Sequence, residues 1–174
     1  MMFEALLAAL GTGSRPASGI RTLESEVVVG APLADTFAFF ANAENLERLT
    51  PPWINFRIRT AQPIEMKEGA LIDYQIVLYG LPVPWRTRID VWEPGVRFVD
   101  RQLAGPYRWW IHEHRFERDL NGTRVCDRVE YVPRAGWVSG RLVRRDLERI
   151  FAFRRAALPQ LLATEPPWTQ LSQS

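Results

Sequence analysis

The sequence predicts an α+β domain: seven strands in an antiparallel run, two short helices after the first strand and one long helix at the C-terminal end. Three observations carry this. Apolar and polar residues alternate over seven short segments, as in half-buried strands. Turn-forming residues fall between those segments, and the last segment instead repeats its apolar residues at helical spacing. Helices gathered at the two ends of an unbroken series of strands argue for α+β over an alternating α/β order.

Thr22–Val29 is the first strand, broken by Gly30-Ala31-Pro32. Pro32 opens a helix carrying Phe37, Phe39 and Phe40, because proline at a helix start loses no hydrogen bond there. A second helical piece follows over Ala43–Leu49, and Thr50-Pro51-Pro52 stops it. The remaining strands are Ile54–Thr60, Ala70–Tyr79, Val83–Trp92, Val96–Leu103, Tyr107–Glu117 and Thr123–Pro133. Gly69, Gly80-Leu81-Pro82, Pro94-Gly95, Gly105-Pro106 and Asn121-Gly122 punctuate them. Over Ser139–Ala163, the residues Val143, Leu147, Ile150, Phe151, Leu158 and Leu161 form one helical stripe.

The 174 residues suit one domain, which we place over 20–163. Residues 1–19 form an N-terminal extension: an apolar stretch read as a short helix or a misplaced start, then the linker-like run GTGSRPASG. Residues 164–174 form a disordered tail. A net charge of +2 is too small for a nucleic-acid footprint, and no apolar run is long enough to insert into a membrane. The single Cys126 fits a reducing, cytoplasmic setting. No Cys/His set, glycine-rich dinucleotide loop or P-loop implies a cofactor, and none is expected.

Strand alternation then selects an inward face. Within Tyr107–Glu117 the even residues Trp110, His112, His114 and Phe116 point inward, and in the next strand Asp127 lies with Val125, Val129 and Tyr131. A tight hairpin pairs even with odd positions, so His112, His114 and Asp127 share one surface. Tyr74, Ile76 and Leu78 face inward with Ile72; Trp85 does so with Thr87, Ile89 and Val91. Phe98, Asp100 and Gln102 are in phase. On the long helix Arg154 sits on the apolar stripe, four residues after Ile150. An aromatic wall that also holds two histidines, two acids, Gln102 and Arg154 suits a cavity better than a dry core. Trp92 and Trp109 fall on the outward face by parity; if exposed, they would suit a homodimer interface or packing of the N-terminal segment.

The stretches FFANAENLERLTPPWINFRI, LIDYQIVLYGLPVPWRTRI, RFVDRQLAGPYRWWIHEHRF and RRDLERIFAFR resemble the START/Bet v 1-like (SRPBCC) superfamily, in particular its bacterial polyketide cyclase/dehydrase-like branch. The resemblance spans most of the chain outside its two ends. It implies the helix-grip fold, a curved sheet wrapped around the C-terminal helix with a hydrophobic cavity between them. Its members include ligand carriers as well as cyclases, so fold alone does not select an activity.

The expected function is binding of a small hydrophobic or aromatic molecule, polyketide- or lipid-like. Candidate ligand-binding residues are Trp53, Tyr74, Ile76, Leu78, Trp85, Phe98, Asp100, Gln102, Trp110, His112, His114, Tyr131, Ile150 and Arg154. Two alternatives stand beside it. One is a cyclase/dehydratase using His112, His114 and Asp127 for proton transfer; the other is an interaction module whose cavity is filled by its own side chains. His112 and His114, with Cα atoms ~6.6 Å apart on one face, would also suit chelation with Asp127 as third ligand, but a hydrogen-bonded trio fixing a tautomer is the simpler role, and no metal is expected. Arg154 is expected to close an internal pair with Asp100 or Asp127 rather than to anchor a ligand anion.

Overall fold

The computed structural model describes residues 3, 10–11, 13–134 and 140–164. Expectations for the N-terminal apolar stretch, apart from Phe3 and Leu10, and for the tail from residue 165 lie outside them. The elements are β1 (Arg21–Val29), α1 (Leu33–Ala41), α2 (Asn45–Arg48), a 3-10 turn (Pro52–Ile54), β2 (Arg57–Ile58), β3 (Leu71–Leu78), β4 (Leu81–Glu93), β5 (Arg97–Ala104), β6 (Tyr107–Asp119), β7 (Gly122–Pro133) and α3 (Gly140–Thr164).

The seven strands form one antiparallel sheet in the order β1-β7-β6-β5-β4-β3-β2. α3 crosses its concave face and places Val143, Leu147, Phe151, Arg154 and Leu158 in the interior. α1 closes one end, with Phe37 and Phe40 packed on Phe116 at ring-centroid distances of 5.3 and 5.0 Å. This is the helix-grip arrangement, and the cavity lies between grip and helix.

The β6–β7 hairpin fixes the phase of the central strands. Asp119 pairs with Gly122, so the two-residue loop is Leu120-Asn121, and His114 comes directly opposite Asp127. Gly122 has φ +130°, and a Cβ there would stand 2.2 Å from the Val29 carbonyl oxygen. Glycine is therefore required where β7 passes the end of β1.

Two expectations need correction. The segment Ile54–Thr60 yields only Arg57–Ile58 as strand, because the prolines at 51 and 52 carry the chain into a 3-10 turn through Ile54. Trp92 does not face outward: Ile89 pairs with Asp100 but Val91 pairs with Val99, so Asp90 is an extra residue that inverts the alternation beyond it. Trp92 then meets Phe37 and Phe98 at 5.2 and 5.5 Å, while Asp90 points away and receives Arg88 and Arg101. Trp109 does lie on the outer face, yet it is buried. The N-terminal chain runs beside the end of β5: Gly11 bridges to Ala104, and the Gly105 N–H donates to the Leu10 carbonyl at 3.1 Å. Neither tryptophan offers the exposed surface that a homodimer was to use.

Candidate functional site

Three strands and the long helix converge on one buried polar cluster. The pairings across the sheet form two rows, Phe98–His114–Asp127 and Asp100–His112–Val129, running from β5 through β6 to β7. Arg154 descends onto them from α3. Each of these polar side chains is on the inner face because its strand or helix phase puts it there, and each is held by the others.

Asp127 is the hub. Its Oδ1 accepts the His112 Nε2–H at 3.0 Å, and its Oδ2 lies 3.2 Å from Arg154 Nε. Arg154 Nη2 donates to His114 Nδ1 at 3.1 Å. A guanidinium only donates, so His114 Nδ1 is an acceptor and the ring's proton sits on Nε2, where it reaches Asp100 Oδ2 at 3.2 Å. His114 Nδ1 also approaches Asp127 Oδ1 to 2.8 Å, a contact offset by the guanidinium beside both. His112 Nδ1 is left as a bare lone pair, 3.7 Å from Asp100 Oδ2.

Burial and the neighbouring His114 push His112 down to about 4, against the opposing pull of Asp127 and Asp100, so its ring is neutral at pH 7. Burial alone would raise Asp127; the Arg154 charge and the His112 N–H overcome it and hold the carboxyl well below the usual carboxylate range. The two imidazoles stack with centroids 3.7 Å apart, and Phe98 lies flat on His114 at 4.2 Å. Arg154 rests over the Phe40 ring at 5.1 Å.

Beside this cluster lies a cavity of about 180 Å³. Of the residues singled out from sequence, Tyr74, Ile76, Leu78, Trp85, Phe98, Asp100, Trp110, His112, His114, Ile150 and Arg154 line it. Asp127 stands behind the histidines. Gln102 is buried elsewhere, donating to the Tyr107 carbonyl at 2.7 Å and accepting the Tyr107 N–H at 3.3 Å, so it braces the β5–β6 turn. Tyr131 is buried beyond the cavity wall, and Trp53 is 50% exposed on the rim of an adjoining groove, against Phe153 and under Arg149. Sequence reasoning missed Phe40, Leu46, Leu49, Phe56, Met66 and Phe151 as lining. Phe40 and Phe151 sit on apolar helical stripes already legible, and Phe56 alternates with Ile54 and Ile58 in a segment read as strand; Met66 lies in irregular chain, where no periodicity marks it.

The lining is mostly apolar; Asp100, His112, His114 and Arg154 bring the cluster to it, and Asn42, Asn45, Thr50 and Thr87 also line it. Asp100, His112 and His114 also bring three ligand-type atoms within 4.8 Å of one another. With Nε2 of His114 protonated toward Asp100, the arrangement as it stands is a hydrogen-bond network. Asp127, considered from sequence as a third ligand, is occupied by His112 and Arg154. Among the described residues no helix is long and apolar enough to cross a membrane.

Residues 29–157 match the family model described as polyketide cyclase / dehydrase and lipid transport. No curated protein matches the chain. Among solved structures, the Zhui aromatase/cyclase from Streptomyces sp. R1128 is similar with TM-score 0.67 and 20% identity, over 83% of this chain and 94% of that one. Protein CV1439 from Chromobacterium violaceum gives 0.64 and 12%, over 81% and 96%. Ara h 8.0201 gives 0.61 and 16%, over 84% and 100%. At these identities the likeness is one of fold. Sheet order, gripped helix and the family match across 29–157 agree, and the chain belongs to the polyketide cyclase / dehydrase and lipid transport family.

Proposed function

We propose that the protein binds a small, largely apolar molecule in the cavity between sheet and α3, with the ligand's polar group set against Asp100, His112 and His114. One observation carries this: a cavity of about 180 Å³ lined mainly by aromatic and aliphatic side chains, with Asp100, His112 and His114 in its wall. An interior filled by its own side chains would leave no such space. The setting we assign is the cytoplasm. Mass spectrometry of extracts from protein purified under native conditions tests the reading: a stoichiometric small apolar compound supports it. An empty protein that also takes up no naphthalene-sized probe in calorimetry refutes it.

A second reading, proton transfer in cyclisation or dehydration of a poly-β-keto chain, is favoured by the orientation of His112. Its Nε2–H is held by Asp127 and its Nδ1 lone pair is free to take a proton from a carbon beside a carbonyl, returning it to a departing hydroxyl as water. The same burial that keeps it neutral makes it a weak base, since a catalytic base works best with a pKa near the operating pH. Binding therefore ranks first. Catalysis requires that His112→Gln abolish turnover of such a chain while ligand affinity survives; equal turnover removes that reading.

A further inference from the structure

The cluster holds two carboxylates, Asp100 and Asp127, against one guanidinium, Arg154. That charge is unevenly placed. Arg154 is buried, tied to Asp127 at 3.2 Å and to His114 at 3.1 Å, and covered on one side by Phe40. Arg154 also touches the cavity, but its Nε and Nη2 are turned to Asp127 and His114. Asp100 lies at the cavity, and among the described residues only the His114 Nε2–H donates to it. A carboxylate accepts about four hydrogen bonds, so it has capacity left over.

The atom facing it compounds the imbalance. His112 Nδ1 carries a lone pair and stands 3.7 Å from Asp100 Oδ2, too far for any contact of their own and facing an atom that likewise only accepts. If the His114 proton moves to Nδ1 to meet Asp127 Oδ1 at 2.8 Å, Asp100 faces two bare nitrogens and the imbalance grows. In either tautomer the ligand-facing end of the cluster is rich in acceptors and carries unbalanced negative charge in a poorly solvated space. Under those conditions an anion is repelled far more strongly than in water, and a donor or cation is drawn in.

Resting on the cavity-binding reading, we infer that this end selects a ligand bearing a hydrogen-bond donor, an ammonium group ahead of a hydroxyl, and rejects carboxylates and phosphates. The donor bridges Asp100 Oδ2 and His112 Nδ1. The buried arginine, which on sequence alone invites an acidic ligand, instead compensates Asp127 and keeps the histidines in place.

Calorimetric titration of the full chain at pH 7 with four probes of one ring system tests this: naphthalene, naphthalen-2-ylmethylamine, naphthalen-2-ylmethanol and naphthalene-2-carboxylate. We expect the amine to bind at least tenfold tighter than the carboxylate, with the alcohol between them. Asp100→Asn keeps an acceptor for the His114 N–H and should fold, as its melting temperature will report. It should weaken the amine at least tenfold and leave the alcohol within threefold. A carboxylate as tight as the amine, or an amine unaffected by Asp100→Asn, overturns this inference while naphthalene binding keeps the cavity reading. If none of the four binds, both fall.

Discussion

Two faces of one strand use the same chemistry to different ends. On the outer face of β6, Glu113 accepts from Arg97 at 3.3 Å and from Arg115 at 3.2 Å, and Arg97 also forks onto Glu93. One residue on, His114 enters the inner cluster, where Asp127 and Arg154 are 4% and 7% exposed, against 22% and 32% for Glu113 and Arg97. Outside, each charge gives up one water partner for one protein partner and the net gain is about 0–1 kcal/mol. Inside, each group has lost its water, so every member depends on the others, and removing one exposes the desolvation cost of what remains. Burial, and not the inventory of charges, decides which network matters.

The sharpest way to break this contrast is to delete the inner cation. Arg154→Met strips Asp127 of its counter-charge and should cost about 3–5 kcal/mol, the range for orphaning a buried charge. Urea denaturation reads it directly, as a lower midpoint at unchanged slope. At about 2–4 °C per kcal/mol for a chain of this length, the melting temperature should fall by roughly 10 °C. Adding Asp127→Leu to the same variant should recover part of the loss, since the orphan is then gone. A single variant within 1 kcal/mol of the parent would mean that the cluster is wet and the contrast false.

Acid should find the inner face next. His112 faces His114 on its own strand, Asp100 from β5, Asp127 from β7 and Arg154 from α3, and its folded pKa is pushed down to about 4 from 6.5. Between those values the unfolded chain binds a proton that the folded one refuses, so stability is lost as pH falls from 6.5 toward 4, by about 2–3 kcal/mol. Asp127, with a depressed folded value, keeps its contribution above the ordinary carboxylate range and gives it up only as pH drops through that lower value. Stability measured at pH 7 and at pH 4.5 should therefore converge in His112→Gln relative to the parent. An equal acid loss in both would show that the ring titrates as if exposed. Neutral polar groups on the same face come third: Gln102→Leu leaves the Tyr107 N–H and carbonyl without partners and should cost about 1–3 kcal/mol, read by the same denaturation.

Much of this was legible in the sequence, and the reason is periodicity. Strand parity alone placed His112, His114 and Asp127 on one face, and helix spacing turned Arg154 toward the sheet, because in regular elements side-chain direction follows from position number. An internal partner for Arg154, Asp100 or Asp127, followed from the cost of an unpaired buried guanidinium, and the structure selects Asp127. Parity failed where an element is irregular: one extra residue at Asp90 turned Trp92 inward, and nothing in a single sequence marks a bulge there. Gln102 was in phase with Asp100, yet its amide serves the turn at Tyr107, a hydrogen bond between residues that alternation does not relate. Met66 reaches the cavity from chain without a period, and Trp109 is buried on the outer face, which alternation alone does not foresee.

The smallest effect is the most exacting test of the contrast. Glu113→Gln removes the charge shared by Arg97 and Arg115 but leaves an amide oxygen to accept from them, and Arg97 keeps both of its 2.9 Å bonds to Glu93. The change should stay within about 0.5 kcal/mol, and raising the salt concentration should shrink it further, because exposed charges are screened within about 10 Å at 0.1 M. The backbone at 113 still pairs with Val99 and Arg128, so the phase that sends His112 and His114 inward is untouched, and the pH 4.5 loss should match the parent's. A cost above 1 kcal/mol, or an altered acid loss, would mean that the outer charges hold the strand in register. Position on the sheet would then no longer separate a network that stabilises from one that merely solvates.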